Sequence, residues 1–186
     1  STGMSTSDRE RERLRAVRAG DRTAWRAWYD ETFPALDRYL LWRCGGLREV
    51  ADDLLQEVWL VAVRRLDQFD PAQGPFLAWL RGIAAGLLAN RWRSLARQRR
   101  LQRVPPSQQV ATEPADAPSE RRDRAEMVAR TLAELPPAYE EVLRRRYLEG
   151  QSVAQMAGEM GSTLKAVESR LSRAREAFRA MYNEEE

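Results

Sequence analysis

The sequence predicts an all-α protein of two small helical domains joined by a flexible linker. Apolar residues recur at intervals of three and four along most of the chain, which is the period of an amphipathic helix. No segment shows the apolar and polar alternation that is typical of a half-buried strand. Residues 100–120 have no apolar period and contain four prolines among small and polar residues, which indicates a linker between two folded parts.

The first elements precede a double glycine. Residues 1–20 are predicted to hold a tag remnant, since "STG" stands before Met4, and then a leading helix. Residues 23–44 form one helix or two, because Pro34 is able to start a second one. Gly45-Gly46 is expected to end this helical stretch.

The first domain is predicted to cover residues 21–99. Its second half begins with a long amphipathic helix over 47–69, with one apolar side made of Val50, Leu54, Val58, Val61 and Leu66. The sequence "FDPAQGP", residues 69–75, is predicted to be a loop because it contains two prolines and a glycine. Another long helix is expected over 76–100.

The second domain is predicted to cover residues 121–183 and to contain four helices. The first runs over 124–135 and stops at Pro136-Pro137, and the second runs over 138–150 and closes at Gly150. The last two helices are joined by a tight turn at Gly161, and this pair predicts a helix-turn-helix.

The helix-turn-helix has clear end signals and a two-sided second helix. Ser152 with Gln155 forms a capping-box pattern, and Ser162 is able to cap the second helix. That helix has an apolar side made of Leu164, Val167, Leu171, Ala174 and Phe178. On the other side, residues suited to contact a DNA duplex are Ser162, Thr163, Lys165, Ala166, Ser169, Arg170 and Arg173. The alternative is a surface helical hairpin with solvated arginines.

Two further clusters carry charge. Six arginines lie within residues 91–103 beside Trp92, a pattern that favours phosphate binding and base stacking but also fits a solvated helix end. Asp52, Asp53 and Glu57 share a helix with Gln56. This acidic cluster favours a docking surface for a basic protein over acid–base catalysis or a metal site, and a plain solvated face stays open.

Composition excludes several function classes. The 186 residues carry a net charge of +3 and include no histidine and a single cysteine, Cys44. Histidine-based catalysis, the common zinc sites and an internal disulfide are therefore not expected, and no metal or cofactor is predicted. Cys44 is expected to be buried in a protein of a reducing compartment. Without an 18-residue apolar run, the chain is expected to be cytoplasmic and not to insert into a membrane.

Three stretches in order resemble the bacterial RNA polymerase sigma factors of the extracytoplasmic-function (ECF) group, in the sigma-70 family. The stretch "ADDLLQEVWL" (51–60) is similar to the family's AEDLxQEVF, and "FLAWLRGIAAGLLANRWR" (76–93) is similar to FxxWLxxIARNxxxDxxR. Residues 132–175 resemble LxxLPxxxRxVxxLxxxEGxSxxEIAxxLGxSxGTVKSRLxRAR. The chain departs from these patterns at Ala85-Gly86, where the family has Arg-Asn, and at Glu140.

The resemblance implies a set of partners and sites. Residues that would dock on the clamp helices of the polymerase β′ subunit are Asp52, Asp53, Gln56 and Glu57. Residues that would contact the −10 element of the promoter are Phe69, Asp70, Gln73, Phe76, Asn90, Arg91, Arg93 and Arg97. The helix-turn-helix would bind the −35 element and the β flap. An anti-sigma factor or another regulator is expected as a further partner.

Other functions compete with this one. A helix-turn-helix regulator that binds operators without polymerase would need neither the acidic helix nor the first domain. An enzyme with an attached DNA-binding domain would need an activated nucleophile or a phosphate loop, and the sequence shows neither. A sigma mimic that titrates an anti-sigma factor would not need the basic recognition helix.

Overall fold

The computed structural model describes residues 5–101 and 117–184, and all the regular structure in these two ranges is helical. The α-helices are α1 (Thr6–Arg18), α2 (Arg22–Arg43), α3 (Arg48–Arg64), α4 (Phe76–Leu101), α5 (Ala117–Glu134), α6 (Pro137–Leu143), α7 (Val153–Glu159) and α8 (Leu164–Glu184). The all-α prediction with two helical domains is confirmed.

The stretch before the double glycine is one helix, α2, with Pro34 inside it. The helix ends at a turn in which Gly45 and Gly46 have φ angles of 63° and 90°. Glycine is the only residue that adopts this left-handed backbone without a steric cost, so the predicted end of the helix is confirmed.

The next predicted helix is shorter than the sequence indicated. Helix α3 ends at Arg64, and a single 3-10 turn over Leu66–Gln68 replaces its predicted last turn. The apolar side of α3 is confirmed at Val50, Leu54 and Val58, which are buried. It is wider than a single stripe, because Ala51, Leu55, Trp59 and Ala62 are buried as well.

The chain divides into two compact units. One contains the residues up to Leu41 together with Arg48–Asn90, and the other contains Trp42–Leu47 together with the residues from Arg91 onward. The core of the first unit centres on aromatic rings from α2, α3 and α4. The core of the second unit consists of Leu132, Leu135, Val142, Leu143, Met156, Ala157, Val167, Leu171 and Ala174.

Helices extend into both ends of the predicted linker. Helix α4 continues to Leu101, since no glycine or proline interrupts residues 91–101, and α5 already begins at Ala117. A proline at the second position of α5 is tolerated, because the first turn of a helix needs no backbone N–H donor there. The rest of the predicted linker, residues 102–116, lies outside the described residues.

The helix predicted over 138–150 is divided. Helix α6 ends at Leu143, and a π-helical turn over Arg144–Leu148 follows it. Arg145 bridges this turn to neighbouring elements, because its guanidinium contacts Glu141 at 3.0 Å and Glu159 at 2.7 Å. Arg144 pairs with Glu149. These arginines are occupied by internal ion pairs.

Cys44 is fully buried in the turn after α2, as the sequence predicted. Burial raises the pKa of its thiol to about 11 against the opposing effect of the Arg91 and Arg43 charges. The thiol is therefore protonated at neutral pH.

Candidate nucleic-acid and protein interfaces

The two helices of the helix-turn-helix are set by their end residues. The capping box before α7 is formed, with the Gln155 N–H donating to Ser152 Oγ at 3.1 Å and the Ser152 N–H donating to Gln155 Oε1 at 2.8 Å. Gly161 has a φ of 59°, as expected for the turn. The capping role predicted for Ser162 falls to Thr163, whose Oγ1 accepts from the Ala166 N–H at 3.2 Å, because α8 begins one residue later.

Helix α8 buries one side and exposes the other. Val167, Leu171 and Ala174 are in the core, where α8 packs against α5, α6 and α7. The apolar side is shorter than predicted, because Leu164 is 54% exposed at the first residue of the helix, one turn before the first core residue. Phe178 is half-buried.

The seven residues predicted to contact a duplex are accessible. Thr163, Lys165, Ala166, Ser169 and Arg173 are exposed, while Ser162 and Arg170 are half-buried. Small and hydroxyl side chains at the start of the helix allow close approach, and the cations follow along the same side. By contrast, Arg175 stacks over the Tyr147 ring and donates to its hydroxyl at 2.8 Å. The accessible surface of α8 therefore fits a major groove.

The loop after α3 is held by an aromatic cluster. Trp28 stacks on Phe76 with ring centroids 3.9 Å apart, and Phe69 meets Phe76 edge-on at 5.2 Å. Phe69 and Phe76 are only 3% and 0% exposed. The prediction that these two side chains contact DNA is therefore wrong for this conformation, because both are buried to anchor the two ends of the loop.

The polar residues between these anchors are on the surface. Asp70 and Gln73 are exposed. Asp70 Oδ1 accepts from the Ala72 N–H at 2.9 Å, and Gln73 Nε2 donates to Asp70 Oδ2 at 3.3 Å. These bonds give the loop a defined backbone shape, so that its polar side chains are presented in a fixed arrangement.

The remaining residues predicted at the −10 element lie further along α4. Asn90, Arg93 and Arg97 are exposed at intervals of three and four, which places them in one row, and Arg91 is half-buried. Asn90 stands about 21 Å along the helix from Phe76 at 1.5 Å per residue, so Asn90 lies outside the loop. Trp92 is buried and is not available to stack on a base, contrary to the sequence-based interpretation.

The acidic cluster is an exposed face of α3. Asp52, Asp53, Gln56 and Glu57 are all exposed, opposite the buried side of the helix. Arg48 contacts Asp52 at 3.3 Å and Asp37 at 2.6 Å, so Asp52 is partly neutralised. The charge on this face is therefore concentrated on Asp53 and Glu57.

An apolar groove, which the sequence analysis did not predict, lies beside this acidic face. The exposed side chains of Leu60 and Val63, at 57% and 58%, line it together with Trp25, Tyr29 and Trp59. The two exposed residues are four and seven positions beyond Gln56, a helical spacing that marks a second stripe on α3. An apolar groove rimmed by acids is typical of a protein-docking surface.

Glu10 is a second residue that the sequence did not single out. The residue is 8% exposed, and its Oε1 accepts from the Phe76 backbone N–H at 2.8 Å. Burial raises the pKa of this carboxyl, against the smaller opposing effect of the Phe76 bond. The sequence carries no signal for this contact, because the partners are 66 residues apart.

Glu10 is expected to make stability depend on pH. The folded chain holds the Glu10 proton more tightly than the unfolded chain does. The contribution of Glu10 to the free energy of unfolding is therefore largest at pH values below the ordinary carboxyl pKa, and it is lost as pH rises through the raised pKa of the folded chain. Glu10→Gln should therefore become more stable relative to the parent chain as pH rises from about 4 to 7. Free energies of unfolding of the two chains, measured at a series of pH values, give this difference. A difference that does not change with pH would contradict the burial of an ionisable carboxyl.

Comparison with known proteins identifies the family. The family model for sigma-70 region 2 matches residues 22–98, and the model for sigma-70 region 4 matches residues 125–178. ECF RNA polymerase sigma factor SigL of Mycobacterium tuberculosis is 33% identical over 175 residues, which cover 92% of this chain and 96% of SigL. The chain belongs to the sigma-70 family of RNA polymerase sigma factors, in the ECF group.

Two more proteins are similar to this chain. ECF sigma factor BldN of Streptomyces coelicolor is 30% identical over 167 residues, which cover 89% of this chain but 62% of BldN. Sigma factor RpoE of Bartonella quintana, solved in complex with the anti-sigma factor NepR, is 22% identical with a TM-score of 0.49, over 86% of this chain and 96% of that chain. Among the residues that the structure describes, no helix is long and apolar enough to cross a membrane.

Proposed function

We propose that this chain is a dissociable, non-catalytic subunit that binds core RNA polymerase and directs it to promoters by contacts with the −35 and −10 elements. The observation that carries this proposal is the pairing, in one sigma-70 chain, of an exposed acidic face on α3 with an exposed basic side on α8. A DNA-binding module alone has no use for the first of these surfaces.

The polymerase contact is assigned to the acidic face of α3, Asp52, Asp53, Gln56 and Glu57, and to the apolar residues Leu60 and Val63 beside it. Charges of one sign around an apolar centre give a basic partner both attraction and a desolvated contact. The cytoplasm is the compartment in which this partner would be met.

The promoter contacts are assigned to two places. The start of helix α8 and the turn before it are proposed to enter the major groove at the −35 element. The residues assigned to this contact are Ser162, Thr163, Lys165, Ala166, Ser169, Arg170 and Arg173. Asp70 and Gln73 in the loop, with Asn90, Arg91, Arg93 and Arg97 on α4, are proposed to contact the −10 element. Phe69 and Phe76 are proposed to support that loop from below.

Binding of the purified full chain to core polymerase, followed by run-off transcription on a promoter library, tests the proposal. Tight binding together with promoter-dependent transcripts is the expected result. Binding to duplex DNA without binding to core polymerase would overturn it in favour of a helix-turn-helix regulator.

Arg173 is expected to contribute one phosphate contact. It is exposed on α8, and its Nε donates to the Ser169 carbonyl oxygen at 3.4 Å, which holds it on the side of the helix away from the core. Arg173→Ala should weaken binding of the full chain to a −35 duplex and reduce the slope of log K against log salt by roughly one. Arg9→Ala, the same exchange at an exposed site on α1, is the control and should leave the slope unchanged. An unchanged slope for Arg173→Ala would remove this residue from the interface.

A further inference from the structure

One side of the leading helix α1 makes hydrogen bonds to the segment that carries the proposed −10 loop. Ser7, Glu10, Leu14 and Arg18 follow each other at intervals of three and four, so they share a face of α1. Ser7 Oγ donates to the Pro71 carbonyl oxygen at 3.2 Å, and Arg18 Nη2 donates to the Asp67 carbonyl oxygen at 3.2 Å. Leu14, which lies between Ser7 and Arg18 along the helix, is buried.

Glu10 supplies the contact that the loop cannot make for itself. Pro75 precedes α4 and has no side-chain acceptor, and its carbonyl oxygen already accepts from the Ala78 and Trp79 N–H groups. The Phe76 N–H at the start of α4 is bonded instead by the Glu10 carboxylate, which is also favourably placed at the positive end of the helix dipole.

The burial of Glu10 makes this contact specific. Its second oxygen, Oε2, is buried and has no hydrogen-bond partner among the described residues. A buried carboxylate with one free oxygen costs folding free energy, so simple packing of α1 would be served better by an apolar side chain. What Glu10 provides and an apolar residue would not is a hydrogen-bond acceptor for the Phe76 N–H.

We propose that α1 is a positioning element for promoter recognition, with Glu10 as its main residue. Through Glu10, Ser7 and Arg18, helix α1 fixes the backbone of residues 67–76 in the shape that presents Asp70 and Gln73. This inference rests on the proposed function of that loop at the −10 element. Glu10 itself is buried and does not contact DNA.

Amide hydrogen exchange of the full chain tests the structural part without any activity. Glu10→Ala removes the acceptor and should raise the exchange rate of the Phe76 amide by about tenfold, as expected for the loss of a helix cap. Glu10→Gln keeps an acceptor oxygen and should restore most of the protection. Glu12→Ala, at an exposed position on α1, is the matched control and should have no effect. Equal exchange in Glu10→Ala and the parent chain would overturn the proposal.

Transcription with core polymerase tests the promoter part. On promoters with single substitutions in the −10 element, Glu10→Ala should reduce discrimination between bases by about tenfold, while affinity for core polymerase and for a −35 duplex stays unchanged. Rescue by Glu10→Gln is expected. If Glu10→Ala does not fold, as judged by circular dichroism, Ser7→Ala replaces it in this assay, and a smaller loss of discrimination between bases is expected because the Ser7–Pro71 hydrogen bond is lost.

The outcomes separate the two proposals. Discrimination that stays intact in Glu10→Ala, or in Ser7→Ala if it replaces Glu10→Ala, while the parent chain transcribes in a −10-dependent manner, would overturn the role of α1 and leave the proposed function standing. If the parent chain gives no −10-dependent transcription, the proposed function fails and the promoter role of α1 fails with it. Hydrogen exchange then still decides whether α1 fixes residues 67–76.

Discussion

Replacing Asp53 by arginine is expected to weaken binding of the full chain to core RNA polymerase by about tenfold to a hundredfold. The residue is exposed on α3, where Arg48 already partly neutralises Asp52, so Asp53 and Glu57 carry most of the charge of this face. Reversing one charge at an interface of complementary charges replaces attraction by repulsion, and these factors correspond to about 1.4–2.7 kcal/mol. A fluorescence-anisotropy titration with core polymerase measures the affinity.

Two controls accompany this substitution. Glu12→Arg makes the same exchange at an exposed position on α1 and should leave the affinity within about twofold, because it lies outside the acidic face. Binding of Asp53→Arg to an isolated −35 duplex should equal that of the parent chain. Parallel loss of polymerase and duplex binding would indicate misfolding instead of a lost interface.

Trp28→Ala is expected to lower the free energy of unfolding of the first unit by about 3–5 kcal/mol. The indole is 1% exposed and stacks on Phe76 with centroids 3.9 Å apart, while Phe69 meets it at 5.6 Å. Removing it leaves a cavity under both ends of the proposed −10 loop. Urea unfolding followed by circular dichroism measures the change.

Leu60→Ala is the control for this change. Leu60 is 57% exposed on α3 of the same unit, so its truncation should alter the free energy of unfolding by no more than about 0.5 kcal/mol. Similar losses for both variants would show that Trp28 is not a central core residue.

Local signals in the sequence were sufficient for much of this fold. The helical period placed Val167, Leu171 and Ala174 on the buried side of α8, and the Ser152–Gln155 pattern gave the start of α7. Gly161 marked the turn because a φ of 59° strongly favours glycine. Each of these features depends on residues within one or two turns of each other.

The errors arose where contacts are remote in sequence. Phe69 and Phe76 flank a loop rich in proline and glycine, and their burial depends on Trp28, which is more than 40 residues earlier in the chain. The contact between Glu10 and Phe76 is remote in the same way. The cap of α8 was missed for a different, local reason. Ser162 and Thr163 are both good N-cap residues, so the sequence could not determine which one caps α8.

The burial of Cys44 has a practical consequence for labelling. It is the only cysteine of the chain, and its thiol is inaccessible and stays protonated at neutral pH. Maleimide reagents react preferentially with an accessible thiolate, and the parent chain presents no competing thiolate. A cysteine introduced at an exposed position of the 69–75 loop therefore accepts a single fluorophore with Cys44 left in place, and its emission then follows that loop while polymerase and promoter assemble around it.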